Sequence, residues 1–196
     1  MAALEHASLI KPLDPEAGIA LAIGYGALGK TRLSKDLLMS HAVSGRADEM
    51  NLLAVAAGLE AIDEPTLAME ACRRAGVLAP ESAEVHYQMG HYASSCDYPL
   101  SVIEALIRHA IHLEPSNVHY RIGLASLLVR LERRREALQA IGALIPSHLG
   151  DVTCKCCLKR IANLYFDCEE FEIARRVAQR LDELEGRSAG VVRRHP

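Results

Sequence analysis

Apolar residues recur along this chain at spacings of three and four, in runs broken by turn-forming residues, and the whole pattern returns at nearly constant intervals. A small residue follows an apolar one at Leu21-Ala22, Val55-Ala56, Met89-Gly90, Leu124-Ala125 and Ile161-Ala162, in steps of 34, 34, 35 and 37 residues. Three positions later stand Tyr25, Leu59, Ala93, Leu128 and Tyr165. A second set keeps the same register: Ser34, Ala68, Val102, Ala137 and Ala174, followed four positions on by Leu38, Cys72, Leu106, Ile141 and Ala178. Such spacing lays one apolar stripe along each of two helices per unit, and the small residues let the paired axes approach closely. Breakers separate the paired helices: Gly29, Asp63-Glu64-Pro65, Asp97-Tyr98-Pro99, Glu132–Arg135 and Cys168–Glu170. Asp63 suits a helix N-cap and Pro65 a first-turn position. The expected helix pairs are therefore 15–28/31–44, 49–62/65–78, 83–96/99–113, 118–131/134–145 and 152–166/169–185.

Self-similarity at this period is the mark of a repeat array. The first unit carries Leu21-Ala22, Tyr25, Ser34 and Leu38; the last carries Leu158, Ile161-Ala162, Tyr165, Ala174 and Ala178; Pro80 and Pro115 close two others. In this spacing the chain resembles the tetratricopeptide repeat family, with its W-x2-L-G-x2-Y…A-x3-F…P pattern, over roughly residues 15–185, although the family's Trp is replaced in every unit. The fold expected is all-α, a right-handed superhelical solenoid of about five antiparallel helix pairs. Residues 1–14 read as a helical remnant covering one end, and units are expected near 15–48, 49–82, 83–117, 118–151 and 152–185. The polar segment 186–196 reads as a flexible tail.

Composition narrows the use of such an array. Half of the 196 residues are hydrophobic, aromatics make up 4%, and Trp is absent, which suits helix packed on helix. A formal charge of −3 gives no global attraction to phosphate backbones, so nucleic acid is not an expected partner. The apolar run 17–29 is too short to span a bilayer, and nothing in the opening residues resembles a secretion signal, so none is expected. The six cysteines lack framework spacing, so the expectation is a cytoplasmic protein with free thiols and no membrane partner.

The family resemblance implies where a partner would lie. Stacked pairs curve, and the first helix of each pair lines the concave side. By register this places Met50 and Leu53 from the second unit in the groove, with Glu84, Tyr87 and His91 from the third. The fourth unit contributes His119, Ile122, Ser126 and Arg130, and the fifth Lys159, Asn163 and Phe166. The cations toward the C-terminal end suit an acidic or carboxylate-bearing peptide or partner helix. The expected function is a non-catalytic protein–protein interaction module or scaffold without a cofactor, with self-association into a homo-oligomer as an alternative.

Two motifs point elsewhere. Gly24 to Thr31 matches G-x-x-x-x-G-K-[ST], in which Gly24 and Gly29 would shape a phosphate cradle, Lys30 reach the terminal phosphate and Thr31 ligate Mg²⁺. A P-loop domain requires several parallel strands, whereas residues 66–185 read as helix throughout, so nucleotide binding stands as the weaker alternative. Cys154, Cys156 and Cys157 cluster, with Cys168 close by in sequence. A helix over 152–166 would separate Cys154 from Cys168 by roughly 20 Å and turn Cys156 away from the face shared by Cys154 and Cys157. On that geometry no metal site is expected.

Overall fold

The computed structural model describes residues 13–44, 47–142 and 152–191. Among these residues there are ten helices and no strand. They are α1 (Pro15–Ala27), α2 (Thr31–Val43), α3 (Glu49–Glu60), α4 (Pro65–Leu78), α5 (Ala83–Ser95), α6 (Leu100–Leu113), α7 (Val118–Arg130), α8 (Arg134–Ile141), α9 (Lys155–Asp167) and α10 (Phe171–Val191). The chain divides into two compact units between Glu114 and Pro115. The first holds the pairs α1/α2, α3/α4 and α5/α6; the second holds α7/α8 and α9/α10.

One local rule builds every pair. The first helix opens on a side chain that caps it: Asp14, Asp48, Ser82, Asn117 and Cys154 accept N–H groups from Ala17, Asn51, Val85, His119 and Cys157. These caps satisfy one of the donors that every helix start leaves orphaned. The same helix closes on a residue in the left-handed region: Gly29 (φ 76°), Asp63 (62°), Asp97 (55°), Glu132 (60°) and Glu169 (66°). The next N–H then reaches back to the helix, from Lys30 to Tyr25, Glu64 to Leu59, Tyr98 to Ala93, Arg133 to Leu128 and Glu170 to Tyr165, at 2.8–3.1 Å. That is a Schellman closure, and it reverses the chain directly into the second helix. Second helices need little capping: Lys30, Glu64, Pro99 and Arg133 make no side-chain cap bond. Asp63, read from sequence as an N-cap, is instead the left-handed closing residue of α3, while Pro65 does open α4.

The core follows the small-residue register. Ala22, Ala56 and Ala125 are fully buried, Gly90 is buried, and Ala162 is half-buried. A Cβ on Gly90 would stand 3.0 Å from Ile107 Cγ1, so a side chain there would press α5 off α6. Between pairs, a Cβ on Gly58 would lie 2.9 Å from Ile23 and 3.0 Å from Leu38, which marks the close approach of α3 to the preceding pair. On the second helices Ser34, Leu38, Ala68, Cys72, Ala137 and Ile141 are buried as the register requires.

The register fails in two places. Val102 is 40% exposed and Leu106 half-buried, while Ile103, Ile107 and Ala110 form the buried stripe of α6. The turn after Asp97 holds one more residue than the others, because α6 starts at Leu100 rather than two positions after the left-handed residue. In α10, Ala178 is exposed and Val177 is buried in its place beside Ala174. This helix also runs to Val191, past the expected end at 185, so the part of the expected tail up to Val191 is helical. Gly186 and Gly190 cost a helix about 1 kcal/mol each relative to Ala without breaking it. Residues 1–12 of the helical remnant expected over 1–14, the segment 143–151 and residues 192–196 lie outside the described residues. No described helix is long and apolar enough to cross a membrane.

Candidate functional site

The P-loop-like segment is built as a helix end. Gly24 to Ala27 belong to the last turn of α1, and the N–H groups of Leu28, Gly29 and Lys30 are spent on the carbonyls of Gly24, Tyr25 and Gly26. They are therefore turned into the helix and form no phosphate cradle. Lys30 Nζ stands 5.1 Å from the centre of the Tyr25 ring, over its face, and Thr31 opens α2. The segment before Gly24 is helix α1 where a P-loop has a strand, and no strand occurs among the described residues, so the P-loop geometry read from the sequence is not formed.

The first-unit positions named from sequence separate by burial. Met50 on α3 is 71% exposed and Leu53 half-buried. Glu84, half-buried on α5, accepts a hydrogen bond from Gln88 Nε2 at 2.6 Å. Tyr87 belongs to the core, so it offers a partner almost no surface. His91 is exposed, but its Nε2 lies 2.5 Å from Glu60 Oε1 on α3, so a carboxylate already occupies that side of the ring.

In the second unit α7 packs against α9. Ile122 on α7 is fully buried and so does not face a ligand. Ser126 is half-buried, its hydroxyl donating to the Ile122 carbonyl at 2.8 Å. A first helix is covered both by its own second helix and by a neighbouring first helix, which leaves a narrower free stripe than the spacing alone suggests. Arg130 at the end of α7 is exposed, as are Lys159, Asn163 and Phe166 along α9. Phe166 is 62% exposed and packs edge-to-face on Phe171 of α10, itself 56% exposed, at 5.4 Å between ring centres.

The cysteine cluster differs most from expectation. Helix α9 begins at Lys155, not 152, and Cys154 precedes it in extended conformation as the N-cap. That backbone folds the Cys154 thiol back over the first turn, 2.7 Å from Cys156 Sγ and 3.4 Å from the Cys157 N–H. Cys156 therefore converges on the others instead of projecting away, and all three sulfur atoms lie within 4.8 Å of one another. His119, near the start of α7, brings its Nδ1 to 3.8 Å from Cys157 Sγ. Cys168 stands at the opposite end of α9, where its thiol donates to the Arg134 carbonyl at 3.9 Å. The hydrogen bond with Cys156, then those with Cys157, draw the Cys154 thiol down to about 7. Burial, then the bond to Cys154, push Cys157 up to about 12, so the thiol beside His119 is held protonated and is no activated nucleophile.

Helix pairs that repeat one cap, one left-handed closure and one small-residue contact define an all-α helical-repeat protein. The repeat is of tetratricopeptide type. The crystal structure of MamA superposes with a TM-score of 0.61 over 85% of this chain and 95% of that one, at 17% identity. MamA from position 41 to its end, of Desulfovibrio magneticus RS-1, gives 0.61 over 73% and 80%, at 19% identity. The nearly identical TPR-like repeats of a putative kinesin light chain of Podosopora anserina give 0.65 over 89% and 98%, at 11% identity. At these identities the likeness is one of fold. No protein-family model and no curated protein matches the sequence.

Proposed function

We propose that this chain is a non-catalytic protein-interaction scaffold that holds an acidic peptide or partner helix against the first helices of its second unit, chiefly along α9. The observation that carries this reading is the placing of the phenylalanines. The chain has two, and both stand more than half exposed, packed edge-to-face where α9 ends and α10 begins, while the core is filled with Ala, Leu, Ile and Tyr. An exposed aromatic pair is a natural anchor for a partner. Lys159, Asn163 and Phe166 are spaced four and three apart and share one face of α9, so a cation and an amide lead up to that anchor. Arg130 adds a guanidinium at the end of α7, suited to a carboxylate.

Selection of a random peptide library on the immobilised protein tests the reading. Peptides rich in Asp or Glu with an apolar residue should emerge, and Phe166→Ala or Lys159→Glu should weaken them at least tenfold. Both side chains are exposed, so circular dichroism should remain that of the parent. Peptides whose affinity is unchanged in both variants would sink the assignment to α9.

A further inference from the structure

The geometry points to a zinc site in the second unit, formed by the thiolates of Cys154, Cys156 and Cys157 with the imidazole of His119. Three sulfurs already lie within 4.8 Å of one another, and the histidine nitrogen is 3.8 Å from Cys157 Sγ. Zinc takes four ligands tetrahedrally, with Zn–S near 2.3 Å and Zn–N near 2.0–2.1 Å. That shell puts sulfurs about 3.8 Å apart and a nitrogen about 3.6 Å from a sulfur. The His119–Cys157 separation matches such an edge. The Cys154–Cys156 pair, at 2.7 Å, has only to open by roughly 1 Å, and both side chains are exposed and able to turn.

The repeat itself supplies an independent argument. The four other first helices carry Asp, Asp, Ser and Asn at the cap position that Cys154 occupies. A thiol is a weak acceptor, so the fifth repeat gives up an oxygen cap exactly where two further thiols and a histidine converge. The donor set is soft and lacks a carboxylate, which selects a thiophilic ion over Mg²⁺ or Ca²⁺, and the imidazole completes the fourfold shell that zinc adopts. Binding displaces the thiol protons to solvent and leaves three thiolates at the positive end of α9. A closed shell of three sulfurs and one nitrogen is a structural centre. It ties the start of α7 to the start of α9 and so braces the helix that carries Lys159, Asn163 and Phe166.

The test uses the full chain, reduced and stripped with a chelator. Zinc is titrated in competition with a chromophoric chelator, and Co²⁺ serves as the spectroscopic probe. The expected result is one equivalent of zinc, with Co²⁺ giving thiolate charge-transfer absorption in the near ultraviolet and the visible bands of a tetrahedral ion. Cys156→Ser and His119→Ala should each weaken binding at least tenfold, His119→Ala also shifting the visible bands, while Cys168→Ser binds as the parent does. All three replaced positions avoid the buried core, and circular dichroism of each variant verifies the fold. Zinc should raise the melting temperature of the parent and leave that of Cys156→Ser unchanged. Less than one equivalent bound by the reduced parent, or equal binding by Cys156→Ser, overturns the site. Equal binding by His119→Ala overturns the four-ligand assignment.

Discussion

Cys72 in the first unit and Cys154 in the second show how one repeat can keep a residue type inert or put it to use. Cys72 sits on α4 at a register position filled by Leu38 in the preceding pair and Ile141 in a later one, with no exposed surface. Burial there, seconded by the charge of Glu84, pushes its thiol up to about 12. Cys154 occupies a cap position, exposed, with two further thiols beside it. Both sites are generated by the same turn-and-helix rule. Packing therefore decides which register positions are silent, and the capping end of a first helix is where chemistry becomes accessible.

The largest effect that tests this contrast is thiol reactivity in the metal-free protein. Only the thiolate is nucleophilic. Lowering the Cys154 pKa to about 7 enlarges the thiolate fraction at neutral pH, and that fraction is lost as pH falls through the same value. Raising the Cys72 pKa to about 12 leaves it protonated throughout. At pH 7 the ionised fractions differ by roughly 10⁴–10⁵-fold, and burial further shields Cys72. Timed alkylation followed by peptide mass spectrometry should label Cys154 early and Cys72 last. Comparable labelling of the two in the folded chain would break the comparison.

A smaller effect lies in the first unit. Ser34 holds the register position that is Ala68, Ala137 and Ala174 elsewhere, and its hydroxyl is buried without a hydrogen-bond partner. An unsatisfied buried hydroxyl costs about 1–3 kcal/mol of desolvation. Ser34→Ala removes that cost and leaves a residue the other repeats already accommodate. It should stabilise the chain by about 1 kcal/mol, read as a rise of about 2–4 °C in melting temperature. A fall in melting temperature would show that the hydroxyl has a role the packing does not reveal.

The helices and their pairing were legible because a period repeated five times averages out local ambiguity. What escaped was finer than the period. The shift in α6 was hidden because Val102/Leu106 and Ile103/Ile107 are both apolar pairs at a spacing of four, so only the length of the turn after Asp97 distinguishes them. The cap register at Asp14, Asp48, Ser82 and Asn117 was present in the sequence, but Cys154 broke the chemical pattern at its fifth member. Placing the start of α9 at 152 then sent Cys156 to the wrong face. Tyr87 and Ile122 were taken for groove positions because spacing identifies a face without saying how much of it a neighbouring helix covers.

The smallest effect asks whether the shared turn is set by backbone alone. Gly29 and Glu132 occupy the same left-handed position, at φ 76° and 60°, in different units. A residue with a Cβ pays about 1–2 kcal/mol in that region, whereas Gly pays about 0.5–1 kcal/mol in lost freedom on folding. Glu132→Gly should therefore stabilise by about 0.5 kcal/mol, and Gly29→Ala should destabilise by a similar or slightly larger amount. No atom lies within 4 Å of a Cβ built on Gly29, so its change reports conformation rather than a clash. Opposite signs in urea unfolding would make the five turns one backbone device that tolerates Asp and Glu at a cost. If both variants lose stability, the Glu132 side chain itself contributes to the second unit, and the two units close their helices on different grounds.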